Sequence, residues 1–194
     1  MSTIRRPRKG SLQFWPRKRA RKFLPRVNWS SIKSKKRLKG FICYKAGMAS
    51  AYVKDETPNS MTKGKHIVVP VTILECPPMK IFSVRFYKNG NVKTEILAEN
   101  PDKELKGNVK MPKKKSLDID EIKDYDDMSI ICYSQAKKTG IKKTPDLSEL
   151  GLSGNLDEKL NFVKEHFGRE INVSDVFEKK HPVDVHGLTK GHGF

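Results

Sequence analysis

The first 54 residues of the chain contain 17 Lys and Arg and no Asp or Glu; the first acid is Asp55. The other 140 residues hold 23 basic and 22 acidic side chains, so nearly all of the formal charge of +18 belongs to an N-terminal arm. Such an arm cannot fold on its own. Ordering each residue costs about 1–2 kcal/mol of backbone entropy, and like charges held together repel. The arm needs a polyanion to lie along, and the charge-balanced remainder reads as the body that aims it.

Residues 1–40 read as an extended segment. Pro7, Pro16 and Pro25 interrupt any helix, and Gly10 and Gly40 punctuate the ends. The candidate phosphate contacts are Arg5, Arg6, Arg8 and Lys9, then Arg17, Lys18, Arg19, Arg21 and Lys22, then Lys35, Lys36 and Arg37. Each basic side chain brought to a phosphate releases condensed counterions. Phe14, Trp15, Phe23 and Trp29 fall between these clusters, and aromatic rings stack on unpaired bases at about 1–3 kcal/mol each. A solubilising tail or a localisation signal would account for the charge but has no use for two Trp and two Phe. Lys45, in the turn after the first body strand, and the loop carrying Lys137, Lys138, Lys142 and Lys143 around Gly140 form smaller basic sites. At the far end, Lys190 and His192 lie among Gly187, Gly191 and Gly193, a segment able to approach an RNA backbone closely.

Other classes find little support. The longest apolar stretch, residues 67–74, is broken by Pro70 and Thr72 and is too short to span a bilayer. Cys43, Cys76 and Cys132 are odd in number, far apart and without a CxxC pair, which fits a reducing cytosol and neither a disulfide framework nor a zinc site. His181, His186 and His192 have no shared helical face and no companion Cys, so no metal is expected. The acids at Asp118, Asp120, Glu121, Asp124, Asp126 and Asp127 miss the calcium-loop spacing and read as a solvated helix face. No nucleophile–base pair, paired carboxylates or glycine-rich cofactor loop points to catalysis or to a cofactor.

For the body, the patterns predict short strands over 41–44 and 48–53 around a turn at 45–47. A strand over 66–76, apolar on both faces, is expected to be covered on both sides, with Pro70 marking a bulge or an edge. Residues 81–87 alternate, placing Phe82, Val84 and Phe86 on one face, and Asn89-Gly90 turns the chain into a hairpin partner over 92–98. Residues 99–116 read as surface loop, 118–127 as a short amphipathic helix, and 129–134 as a buried strand. Thr144-Pro145 starts a short helix ending by Gly151, and a second helix capped by Asn155 ends at Gly168. Residues 170–186 look extended with one turn. Short strands followed by helices favour α+β over a wound parallel sheet.

The segment Gly10-Ser-Leu-Gln-Phe-Trp-Pro-Arg-Lys-Arg-Ala20 resembles the N-terminal signature of the archaeal and eukaryotic branch of ribosomal protein L3. Gly40-Phe-Ile-Cys-Tyr-Lys-Ala-Gly-Met48 is similar to that family's first barrel strand and turn, and Glu165-His166-Phe167, Val176-Phe177 and Thr189-Lys-Gly-His-Gly-Phe194 follow in the expected order. The resemblance covers essentially the whole chain. It implies a structural protein that binds large-subunit ribosomal RNA, in the cytoplasm and within the ribosome, without enzymatic activity. It implies a translation-protein-type β-barrel with an inserted α+β lobe and long extensions into RNA. On this sequence that means an arm over 1–40, barrel strands over 41–78, the inserted lobe over 79–170, and a return to the barrel with the start of a glycine-rich extension over 171–194. The family continues past the TKGHGF segment, so the barrel is expected to be incomplete here, with a second polypeptide or a further length of chain carrying the rest. Expected partners are large-subunit ribosomal RNA and neighbouring ribosomal proteins, with no membrane. A nucleoid or chromatin-type DNA-binding protein is the alternative, and it would use the arm equally well; the body offers it no recognition helix or dimer zipper.

Overall fold

The computed structural model describes residues 23–34, 37–99, 101–110 and 118–190. Residues 28–182 form one compact unit, and the described residues 23–27 and 183–190 belong to another. The larger unit is α+β, with two antiparallel sheets and no closed barrel among the described residues.

The first sheet is a two-stranded ribbon of β1 (Tyr44–Lys54) and β2 (His66–Glu75). The predicted turn at 45–47 is instead a bulge between Lys45 and Gly47 inside one continuous strand, and residues 41–43 lie before it. One extra residue is absorbed without reversing the chain, because β1 keeps its partner throughout. The expectation that 66–76 is covered on both sides fails. Val68 is 66% and Ile73 50% exposed, because β2 pairs only with β1. Pro70 therefore sits on an edge strand, where a missing N–H is tolerated.

The second sheet runs β4–β3–β5–β6, with β7 (Glu170–Ile171) pairing to the start of β3. Its members are β3 (Met79–Lys88), β4 (Asn91–Leu97), β5 (Asp127–Ser134) and β6 (Leu147–Gly151). The hairpin is as its sequence predicts: Asn89 and Gly90 both take positive φ, at 50° and 76°, and Lys88 faces Asn91. Pairing places Val84 opposite Ile96 and Ile130, Phe86 opposite Met128, and Ile81 opposite Cys132, so one face is almost wholly apolar and buried. The register shifts between Ile81 and Ser83. Phe82 is the extra residue. It joins Leu105 and Tyr133 in a small cluster with Leu97, Val109, Ile131 and Leu147, rather than sharing a face with Val84 and Phe86.

Several expected elements change. Residues 118–127 hold only a single 3-10 turn, Ile119–Glu121. Asp124 takes φ 70° and binds Lys88 and Lys93 of the hairpin, Asp126 accepts from the Asn89 N–H and Asp127 pairs with Lys159, so these three acids bind neighbouring groups instead of lining a helix. Residues 147–151 form β6 rather than a helix, because they complete a ladder with β5 and Ser134 N–H donates to the Asp146 carbonyl at 3.1 Å. Within the expected loop after β4, the turn Lys103–Gly107 buries Leu105 completely. The helix α1 (Leu156–His166) forms as predicted and buries Val163. Asn155 stands at its N-cap position without a side-chain cap bond, and Gly168 ends the segment at φ 81°. A short helix α2 (Val173–Val176) follows, closed by a capping box between Asn172 and Asp175.

Candidate RNA interface

The root of the arm is stitched to the open edge of β6. Lys39 N–H donates to the Gly151 carbonyl at 3.1 Å, Ser153 N–H donates to the Arg37 carbonyl at 2.7 Å, and Leu38 bridges Leu152. Trp29 closes this arrangement. Its half-buried indole lies between two glycines, where a Cβ on Gly40 would come within 2.6 Å of the ring and one on Gly151 within 2.5 Å of the Trp29 Cβ. Its Nε1 donates to the Glu149 carbonyl at 2.8 Å, and Lys39 Nζ donates to the Trp29 carbonyl at 2.7 Å. Burial, and then nearby Lys159, lower the Lys39 pKa.

The predicted contacts that fall among described residues divide in two. Trp29 and Arg37 are engaged by the body: Arg37 Nη1 donates to the Glu158 carbonyl at 3.0 Å. In the second basic loop, Lys137 pairs with Glu104 at 3.2 Å, Lys138 with Glu170 at 2.6 Å and Lys142 with Asp146 at 2.6 Å. Such surface pairs are worth about 0–1 kcal/mol, so a phosphate can compete for these lysines. Lys143, Lys45 and Lys190 are exposed. The predicted contacts Arg5, Arg6, Arg8, Lys9, Phe14, Trp15, Arg17, Lys18, Arg19, Arg21, Lys22, Lys35, Lys36 and His192 lie outside the described residues.

The polar face of the larger sheet centres on Glu149. Ser129 Oγ donates to Oε1 at 2.5 Å, the Tyr87 hydroxyl donates to the same oxygen, and Arg85 Nη1 donates to Oε2 at 2.9 Å. Arg85 Nε and Ser83 Oγ bind Glu95 at 2.9 and 2.7 Å. Burial works against the Glu149 charge, but the Ser129 and Tyr87 hydrogen bonds and the guanidinium outweigh it, and the carboxyl lies below its usual range. These side chains satisfy one another at a partly exposed face, so the network is not an open site.

The ribbon is anchored at one end and free at the other. The Tyr44 hydroxyl sits 2.7 Å from both Ser134 Oγ and Asp146 Oδ2, and burial pushes its pKa up. The distal loop is organised on Asp55, whose carboxylate accepts from Thr62 Oγ1 at 2.5 Å, Thr57 N–H at 2.9 Å and Ser60 Oγ at 2.8 Å. Between these ends the two faces differ. Val53, Ala51, Ala49, Ile67, Val69, Val71 and Ile73 share one by register; the other carries Met48, Ser50, Tyr52, Lys54, His66, Val68, Pro70 and Thr72. On that second face Tyr52 and His66 stack at 5.1 Å with planes 6° apart. Tyr52, Lys54 and His66 are not among the contacts expected from the sequence. Their signal was the alternation of 48–54, which only pairing with β2 turns into a surface.

Among the described residues no helix is long and apolar enough to cross a membrane, and no group of His, Cys, Asp and Glu is arranged to hold a metal ion. The sequence matches the model of the family described as Ribosomal protein L3 over residues 1–194. It is 38% identical over 203 residues to the large ribosomal subunit protein uL3 of Methanocaldococcus jannaschii, covering 98% of this chain and 61% of that protein. It is 40% identical to the uL3 proteins of Archaeoglobus fulgidus, over 97% of this chain and 60% of that one, and of Methanothrix harundinacea, over 100% and 62%. The chain thus spans about three-fifths of the length of the curated relatives it matches. With a family match over its full length and relatives 38–40% identical across nearly all of it, this chain belongs to the ribosomal protein L3 family.

Proposed function

We propose that this chain is a structural, non-catalytic constituent of the cytoplasmic large ribosomal subunit. It binds ribosomal RNA, supports subunit assembly and contributes to the architecture around the peptidyl transferase centre. The observation that carries the reading is the family match over the whole chain together with an arm of 17 basic and no acidic residues. The body fixes the root of that arm at β6, and the arm supplies the electrostatic grip. Arg5, Arg6, Arg8, Lys9, Arg17, Lys18, Arg19, Arg21, Lys22, Lys35 and Lys36 contact phosphate, with Phe14 and Trp15 stacking or packing beside them. Lys45, Lys137, Lys138, Lys142, Lys143, Lys190 and His192 add peripheral contacts, and Trp29 and Arg37 serve through the arm's root.

The ribbon is the beginning of a translation-protein-type barrel, and the larger sheet with α1 is the lobe inserted into it. Supporting this, the aliphatic face of β1 and β2 leaves Val53 45% and Ile73 50% exposed, a layer that strands from a second polypeptide or a further length of chain would cover. Neighbouring ribosomal proteins complete the surroundings.

Salt dependence tests the reading. With about ten phosphates neutralised, the log–log slope of binding to large-subunit ribosomal RNA is expected near −7 to −9. Binding that barely changes between low and moderate salt, or that is matched by duplex DNA in competition, would refute it.

A further inference from the structure

The outward face of the ribbon has a composition unlike that of its aliphatic side. Cross-strand register brings Met48 opposite Thr72, Ser50 opposite Pro70, Tyr52 opposite Val68 and Lys54 opposite His66, all exposed. Tyr52 is 73% and Met48 65% exposed, yet Tyr52 is held by its stack on His66. An aromatic ring pre-ordered in this way loses little conformational freedom when a further ring is added to the stack. The formal charge on this face is basic. Lys54 shares the face, Lys63 and Lys65 lie in the adjoining loop, and none of the three is engaged by a carboxylate among the described residues. Asp55, the acid nearest in sequence, turns its carboxylate inward to Thr57, Ser60 and Thr62, leaving Glu56 as the opposing charge of the loop.

We infer that this face is a second RNA-docking surface, separate from the arm, on which an unpaired base of structured RNA stacks against the Tyr52–His66 pair while Lys54 holds a flanking phosphate. The inference rests on the proposed RNA-binding function and adds to it a location and a mode of contact. Stacking on an aromatic platform beside lysines is how single-stranded nucleic acid is held without sequence readout. A protein strand is the poorer occupant. It would pair with the ladder edge or cover the aliphatic side, and it would gain nothing from a lysine beside a ring that is already stacked.

The test measures binding of the full chain to archaeal large-subunit ribosomal RNA as a function of salt. The Tyr52→Ala variant is expected to bind about 5- to 150-fold more weakly with an unchanged salt slope, and Tyr52→Phe to bind as the wild type. The variant Lys54→Ala is expected to flatten the slope by about 0.7 to 0.9. Circular dichroism of each variant should match the wild type, since these side chains are exposed. Wild-type affinity in a folded Tyr52→Ala chain overturns the inference while leaving the function of the arm standing. Photocrosslinking of Tyr52 to a protein rather than to RNA in intact subunits also overturns it. Failure of the wild-type chain to bind at all is a different result, and it removes the underlying reading as well.

Discussion

Replacing Gly151 by Ala tests how the arm is rooted. The new methyl carbon would lie 2.5 Å from the Trp29 Cβ, 2.9 Å from its Cγ and 3.3 Å from Lys39 Cδ. The first of these atoms is fixed to the Trp29 backbone, so no rotamer change relieves the clash. Overpacking of this kind costs about 1–3 kcal/mol. Alanine recovers about 0.4–1 kcal/mol through the unfolded chain, which leaves a net loss of about 1–2 kcal/mol. Trp29→Ala removes a half-buried indole and its hydrogen bond to Glu149. The loss is about 2–3 kcal/mol, below the 3–5 kcal/mol of a fully buried ring. The two changes should not add. Once the indole is gone, the methyl on residue 151 has room, and the double variant should cost about what Trp29→Ala costs alone. Urea denaturation of the four chains gives this cycle directly. The sequence has two Trp, so a Trp15→Phe background makes Trp29 the sole fluorescent reporter, and Gly151→Ala should shift its emission to the red. Additive losses, or an unshifted emission with wild-type stability, would refute the account of the indole as a wedge between glycines.

A double-mutant cycle on Arg85 and Glu149 should give a coupling of about 1 kcal/mol, since the pair is partly exposed but held by two further donors. The Glu149 carboxyl is depressed below its ordinary 4.5, so its stabilising share is present above that pH and is lost as pH falls through the lower folded value. A melt that is flat from pH 5 to 3, or unchanged in slope by Glu149→Gln, would count against this. Asp55→Ala should leave the sheets intact but release the loop at the ribbon's tip. Amide exchange at Thr57 should quicken, because that N–H donates directly to the lost carboxylate. The wild-type loop should stay closed as pH falls through 3.8 and loosen only well below it, because hydrogen bonds from Thr62, Thr57 and Ser60 hold the Asp55 carboxyl far under its ordinary value. Protection of Thr57 equal to the wild type would exclude the carboxylate as organiser.

Local chemistry made parts of the body legible in advance. Asn89-Gly90 announced its hairpin because both residues tolerate positive φ, and the stripe around Val163 with Gly168 behind it announced α1. The failures share a cause. Thr144-Pro145 is a helix-start signal ahead of residues 147–151, yet backbone pairing with β5 outweighed the weak local preference. The acids of 118–127 pattern like a helix face, but Asp124 is drawn to the lysines of the hairpin and Asp126 to the Asn89 N–H. Phe82 followed the alternation of its strand and still reversed its face, because a bulge needs only one extra residue and leaves no mark in composition.

The sequence by itself determined the acid-free charge of the first 54 residues, from which a polyanion partner is expected, and its motifs determined the family. Only the tertiary structure decided which aromatic and basic residues are held by the body. Trp29 and Arg37 read like their neighbours in the arm, yet their partners Glu149, Gly151 and Glu158 lie more than a hundred positions away along the chain. A pattern of neighbours cannot report contacts across such distances; pairing between distant strands creates them. The same pairing turned Tyr52 and His66, unremarkable in sequence, into one exposed stacked surface.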